Sequence, residues 1–181
     1  MYINVYMRRE LNFAKGVITH DGIGVMPTDT LYGLVGSAFS PTAVERIYEV
    51  RKRDKTKPLI VLLSSIEDLS QFNIVLDSKK IDLLERVWPG PITVILPCAG
   101  TKFSYLHRGT NTIAFRVPSP LWLRRFLKKV GPIVAPSANP EGKPPAMTAH
   151  EAKEYFKQEI DFYVEEDTPS AEASTIIEIK R

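Results

Sequence analysis

The 181 residues include one cysteine, Cys98, and three histidines, His20, His107 and His150. One thiol excludes an internal disulfide framework, and scattered histidines give no ligand spacing for a structural zinc site. All three histidines fall in stretches that read as loops or caps and are expected to be solvated. No run of about eighteen or more apolar residues occurs, so a membrane-spanning helix is not expected. The opening Met1-Tyr2-Ile3-Asn4-Val5-Tyr6 lacks a basic segment ahead of an apolar one, so no secretory leader is read and a cytoplasmic protein is expected. Recognisable RNA-binding strings are missing too, and no segment reads as an interleaving of basic and aromatic residues. Acidic residues are only slightly outnumbered, 21 against 24, and the resulting net charge of +3 permits an anionic partner without requiring one.

What is present is an ordinary globular composition, 44% hydrophobic and 25% charged, in a length suited to a single domain spanning 1–181 with a sizeable core. Helix and strand patterns alternate. From about Arg8 to His20, Leu11, Ala14, Val17 and Ile18 share one face. A short apolar run, Ile23 to Met26, reads as a strand ending at Pro27. Ser40-Pro41 reads as N-cap and first helical residue, followed by a stripe of Val44, Ile47, Tyr48 and Arg51. Leu59 to Leu63 reads as a buried strand, and Ser78 to Val87 as a helix turning Ile81, Leu84 and Val87 inward. Ile92–Leu96 and Thr112–Val117 read as strands closed by prolines, with an irregular loop from Pro97 to Asn111 between them. Leu121 to Val130 is helical and stops at Gly131, and Ile133-Val134-Ala135 is another strand. Thr148 and Glu151 form a capping box opening a helix to Gln158. Phe162–Val164 and Thr175–Ile179 complete a mixed α/β sheet covered by helices, without internal repeats.

The polar residues cluster at strand ends. Pro27-Thr28-Asp29-Thr30-Leu31-Tyr32-Gly33-Leu34 sets hydroxyls, a carboxylate and a phenol directly after a buried strand, a pattern suited to lining a pocket. Five cations stand between Arg51 and Lys57 against Asp54 alone. Taken singly, Thr28, Thr30 and Ser137 also fit turn-closing roles, Tyr32 an amphipathic core edge, and Asn139 a left-handed turn. Arg116, at the end of an apolar strand, needs either Asp29 as a structural partner or an anionic ligand. Asp29 itself fits a structural or metal-associated role better than that of a general base.

These strings, with Lys57-Pro58-Leu59, Trp88-Pro89-Gly90-Pro91-Ile92-Thr93, Arg116-Val117-Pro118, Pro136-Ser137-Ala138-Asn139 and Ser174-Thr175-Ile176-Ile177, occur in the order found in YrdC-type threonylcarbamoyl-adenylate synthases. The chain resembles that family, in its short single-domain form, from about residue 10 onward. The resemblance implies a twisted, open mixed sheet with helices around a concave cavity. It also implies a nucleotidyltransferase that converts L-threonine, bicarbonate and ATP into threonylcarbamoyl-AMP and pyrophosphate, for the t6A modification of tRNA at position 37. ATP would enter as a substrate with magnesium, with no tightly bound cofactor and no protein-held metal.

By resemblance, Arg51 and Arg53 are the catalytic cations and contact ATP together with Thr28, Ser137, Asn139 and Arg116, while Thr30, Tyr32, Thr93 and Ser174 hold threonine. Partners would be the three substrates, proteins of the t6A pathway that use the adenylate, and weakly bound tRNA or other RNA. Two alternatives stand beside this reading: an RNA-binding module of the same fold, and a paralogue adenylating a different carbamate. The second is kept open by Arg51, which occupies the family's usual lysine position in Lys-x-Arg. Further departures are Ser170-Ala171-Glu172-Ala173 in place of a glycine-rich approach, and Glu178 where aspartate is common.

Overall fold

The computed structural model describes residues 5–165 and 172–179, so Ser170 and Ala171 lie outside the described residues. Eight strands form one sheet: β1 (Ile23–Met26), β2 (Gly33–Ser37), β3 (Ile60–Leu62), β4 (Ile92–Pro97), β5 (Thr112–Arg116), β6 (Ile133–Val134), β7 (Phe162–Tyr163) and β8 (Thr175–Glu178). Their spatial order is β7-β1-β2-β6-β3-β5-β4-β8. The pairs β7–β1, β3–β5 and β4–β8 run parallel and the others antiparallel. β2 was not anticipated as a separate strand. Its Leu34-Val35 pair is short, and only the antiparallel return against β1 reveals it.

Alternation along the strands sorts their side chains into two cores. Val25, Leu34, Val61, Val134, Ile113 and Phe115 join a cluster with α2 (Pro41–Arg51), α3 (Ser78–Val87), α6 (Ala149–Phe156) and the 3-10 helix Ile66–Phe72. Met26, Val35, Leu62 and Ile133 face the other way, against α1 (Val5–Ile18) and α5 (Leu121–Val130). In α1 the buried residues Met7, Leu11, Ala14 and Ile18 recur at helical spacing. α2 starts as expected, with Ser40 accepting the Ala43 N–H and proline in its first turn. α5 stops at Gly131, whose φ of 83° suits a residue without a Cβ. The Thr148 cap also forms, although Glu151 returns its carboxylate to the N–H of Met147 one residue earlier.

Four expectations need correction. Ile81 is exposed, because α3 lies at the rim and buries only Leu84. The stretch Pro97 to Asn111 is not irregular throughout: it carries a one-turn helix, α4 (Ser104–His107), held down by buried Phe103 and Leu106. His107 is buried, not solvated. Its Nδ1 accepts the Gly109 N–H, which leaves Nε2–H to donate to the Gly100 carbonyl. Basic and aromatic residues do interleave on α1, where exposed Tyr6 and Phe13 flank Arg9 at positions i, i+3 and i+7. Among the described residues no helix is long and apolar enough to cross a membrane.

Register determines where the sheet stays open. Ile60 pairs with Ala114, Ala114 with Ile95, and Thr93, two residues from Ile95, pairs with Ile176. These residues therefore share the face that α1 and α5 cover elsewhere. Over β3, β5, β4 and β8, Ile60, Ala114, Thr93 and Ile176 line a cavity of about 280 Å³ instead of a helix-packed core.

Candidate active site

Three loops and the open face of the sheet build the cavity. The first loop joins β1 to β2. Pro27 ends β1, and the Thr28 hydroxyl closes the turn after it, donating to the Leu31 carbonyl at 2.7 Å and accepting the Thr30 N–H at 3.1 Å. Thr28 lines the cavity, yet its hydroxyl is largely spent on the turn. Thr30 presents its Oγ1 3.2 Å from that of Thr28 and accepts from Arg116 Nη2 at 3.1 Å.

Of the two roles read for it, Arg116 takes the structural one, with Asp29 as its partner. The same Nη2 lies 3.0 Å from Asp29 Oδ1, an ion pair in which both side chains are 3% exposed, while the aligned hydrogen bond goes to Thr30. Burial pulls the Arg116 guanidinium below its ordinary pKa, and Asp29 opposes that shift. Asp29 also accepts the Ser119 N–H and does not line the cavity, so its place is structural. The buried Nε of Arg116 has no partner among the described residues.

The second loop follows α2. Arg51 is the last helical residue, and Lys52 caps the helix in the left-handed region at φ 51°, with its own N–H and that of Arg53 returning to Glu49 and Tyr48 carbonyls. That reversal leaves Lys52 exposed and turns Arg53 back beside Arg51, so both guanidinium groups line one cavity. Residues two apart point the same way on extended backbone. A left-handed cap achieves the same result.

The third loop, after β6, holds Arg51. Its Nε donates to the Asn139 carbonyl at 2.9 Å, and Nη2 to Ser137 Oγ and Asn139 Oδ1, both at 3.2 Å. Asn139 spends its amide hydrogens on the Pro140 and Lys143 carbonyls. It has negative φ, so a left-handed turn is not its reason, and it does not line the cavity. Ser137 does. Arg51 is 3% exposed, and burial first, then the Arg53 charge, lowers its pKa to about 10; it remains a cation at neutral pH. No described carboxylate forms an ion pair with Arg51 or Arg53. A buried cation surrounded by neutral acceptors is costly unless an anion joins it.

On the opposite wall, Thr93 Oγ1 donates to Ser174 Oγ at 2.9 Å, tying β4 to the approach of β8. Tyr32, fully buried, and Ser174 line the same space. The fold thus brings together Thr28, Thr30, Tyr32, Arg51, Arg53, Thr93, Arg116, Ser137 and Ser174 from separate segments of the chain, and leaves Asn139 behind them. Cations and short hydroxyls share the lining, with Ser137 on Arg51, Thr30 on Arg116, and the Thr93–Ser174 pair apart from both. Such a cavity suits a multiply charged anion beside a small polar molecule.

Sequence reasoning missed the small apolar floor, Ala114 and Ala135, whose size leaves the cavity its depth. It also missed Glu141, which lies in a proline- and glycine-rich stretch between β6 and α6.

Arg51→Lys is expected to fold and keep its charge but to lose the fork that holds Asn139. Nucleotide-dependent turnover should fall about tenfold and the unfolding free energy by roughly 1–3 kcal/mol. Steady-state kinetics with denaturant unfolding checks both, and unchanged values would remove the fork from the site.

Comparison with known proteins gives the site its context. The Sua5_yciO_yrdC family profile, described as "Telomere recombination", matches residues 16–181. The threonylcarbamoyl-AMP synthase of Pyrococcus abyssi is 34% identical over 98% of this chain and 54% of its own. That of Bacillus subtilis is 37% identical over 77% of this chain and 41% of its own. The crystal structure of P. abyssi Sua5 complexed with L-threonine superposes with a TM-score of 0.88 at 30% identity, covering 98% of this chain and 52% of that one. The chain thus spans about half the length, or less, of these relatives.

Proposed function

Because the chain belongs to the Sua5/YciO/YrdC family, we propose that it makes threonylcarbamoyl-AMP and pyrophosphate from L-threonine, bicarbonate and ATP. The observation that carries this reading is buried Arg51, without a carboxylate partner among the described residues, beside Arg53 in a cavity also lined by the hydroxyls of Thr30, Thr93 and Ser174. Threonine's amine and bicarbonate condense to a carbamate: the N–C bond forms as a bicarbonate C–O bond breaks, and the oxygen leaves as water with a proton from the amine. A carbamate oxygen then attacks the α-phosphorus of ATP, a new P–O bond forms, and the bond to the β-phosphate oxygen breaks with its electron pair leaving on pyrophosphate. No covalent protein nucleophile is needed. Two anions that repel each other must be held in line while charge on the phosphates is stabilised.

In this reading Arg51 and Arg53 grip the phosphates, with Ser137 alongside them and Asn139 acting through Arg51. Arg116, neutralised by Asp29, orients Thr30 instead of serving as a free cation. Thr30, Tyr32, Thr93 and Ser174 read the hydroxyl, ammonium and carboxylate of threonine. Magnesium would come with ATP as part of the substrate, and no tightly held cofactor is needed. We further propose that residues 1–181 work as one domain, in the cytoplasm, supplying the adenylate to proteins of the t6A pathway.

Pyrophosphate release measured with ATP and each combination of bicarbonate and single amino acids tests the proposal. Release is expected only with threonine and bicarbonate together. Bicarbonate-independent release would overturn it, and release with another amine would favour the paralogue reading. RNA binding has one observation in its favour. α1 and α5, which pack together, carry Arg8, Arg9, Lys15, Arg124, Arg125, Lys128 and Lys129 against Glu10 alone, with Tyr6 and Phe13 exposed among them. Salt-sensitive RNA binding without any pyrophosphate release would favour the binding module.

A further inference from the structure

The two loops that carry the arginine site are tied together by one side chain, Glu141, which does not itself line the cavity. It stands two residues after Asn139, on the connection between β6 and α6. Its backbone N–H donates to the Arg51 carbonyl at 2.7 Å. Its Oε2 accepts the Asp54 N–H at 2.7 Å, and its Oε1 meets Lys57 Nζ at 2.5 Å. One residue therefore grips the segment from 51 to 57 at its beginning, middle and end.

The far end matters most. The Lys57 carbonyl accepts from Arg53 Nε at 3.3 Å and from the Tyr48 hydroxyl at 2.9 Å, and the Pro58 carbonyl accepts from Arg53 Nη2 at 3.4 Å. The Arg53 bonds are long, and the segment is otherwise exposed from Asp54 to Lys57. Within it, the Asp54 carboxylate closes only a local turn, on the N–H and hydroxyl of Thr56. Besides Glu141, the segment is tied to α2 by the Arg53 N–H on the Tyr48 carbonyl, the Tyr48 hydroxyl on the Lys57 carbonyl and the exposed Lys55–Glu45 ion pair, and it has no apolar side chain to bury.

We infer that Glu141 is a positioning residue: it cross-ties the loop 137–141 to the basic loop 51–57, and so holds Arg51 and Arg53 together in one anion-binding geometry. A carboxylate in this place also neutralises Lys57, so that the loop's positive charge is concentrated at the cavity. The inference rests on the proposal that the arginines bind a triphosphate, and its test separates the two. MgATP binding is measured by calorimetry, steady-state KM for ATP and for threonine by pyrophosphate release, and amide exchange across residues 52–57 by mass spectrometry.

Glu141→Ala should weaken ATP about tenfold and raise its KM alike, leave the KM for threonine unchanged, and speed exchange at Asp54. Glu141→Gln, which can still accept the Asp54 N–H, should restore slow exchange and recover part of the ATP affinity. A purely structural role would lower thermal stability without separating the two KM values. Wild-type ATP affinity and exchange in Glu141→Ala, or equal losses for both substrates, would overturn the inference. A wild-type protein that binds no ATP would sink the adenylation reading instead, and the exchange data would still decide whether Glu141 holds the loop.

Discussion

Arg53→Ala is expected to leave a folded protein that has almost no adenylating activity. The side chain is half-buried and held by two long bonds to the Lys57 and Pro58 carbonyls, so its loss removes little packing. It would also remove one of two cations facing the cavity without a described carboxylate partner. A charge-assisted contact of this kind contributes about 1.5–3 kcal/mol to binding. A donor aimed at charge that develops in the transition state adds a factor of roughly 10²–10³ in turnover. Circular dichroism and thermal melting should match the parent while pyrophosphate release falls by about two to three orders of magnitude. Parental turnover in a folded Arg53→Ala protein would remove Arg53 from the site.

Arg116→Met should damage the fold itself. Asp29 would be left buried, with its cationic partner gone and Thr30 stripped of a donor. Breaking one side of a buried ion pair costs about 3–5 kcal/mol. For a chain of this size that corresponds to a melting temperature lower by roughly 6–20 °C. The double variant Asp29→Asn, Arg116→Met should regain most of the loss, since neutral groups of similar volume often replace a buried pair at little cost. Differential scanning calorimetry of the parent, the single and the double variants checks both statements. A single variant as stable as the parent would mean that the pair contributes nothing, and a double variant no better than the single would assign the loss to packing.

The contrast between Arg53 and Arg116 explains how far the site was legible. Both stand out in the chain as cations in unusual positions, and both line the cavity. Which one is free to bind an anion could not be read from the chain, because the difference is Asp29, 87 positions from Arg116 in sequence and 3.0 Å away in space. Asn139, expected among the residues that contact ATP, sits behind Arg51 and does not line the cavity. Its amide is consumed by the Pro140 and Lys143 carbonyls, contacts set by how one loop closes on itself. Ser174 and Thr93 were placed together by resemblance, and the parallel pairing of β4 with β8 brings their hydroxyls into contact.

The sequence by itself determined what depends on near neighbours. Apolar spacing set the buried faces of α1, α2 and α5, and Ser40-Pro41 and Thr148 marked helix starts, because these rest on local geometry and on hydrogen bonds that reach three or four residues. Ordered motifs determined the family. Tertiary structure alone decided which face of the sheet stays uncovered, since a two-residue strand period says that two faces exist but not which helix packs on which. It also decided the pairing of polar groups. A buried charge takes whichever partner the assembled fold brings within reach, and for Arg116, Arg51 and the 51–57 loop those partners, Asp29, Asn139 and Glu141, lie more than eighty residues away in the chain.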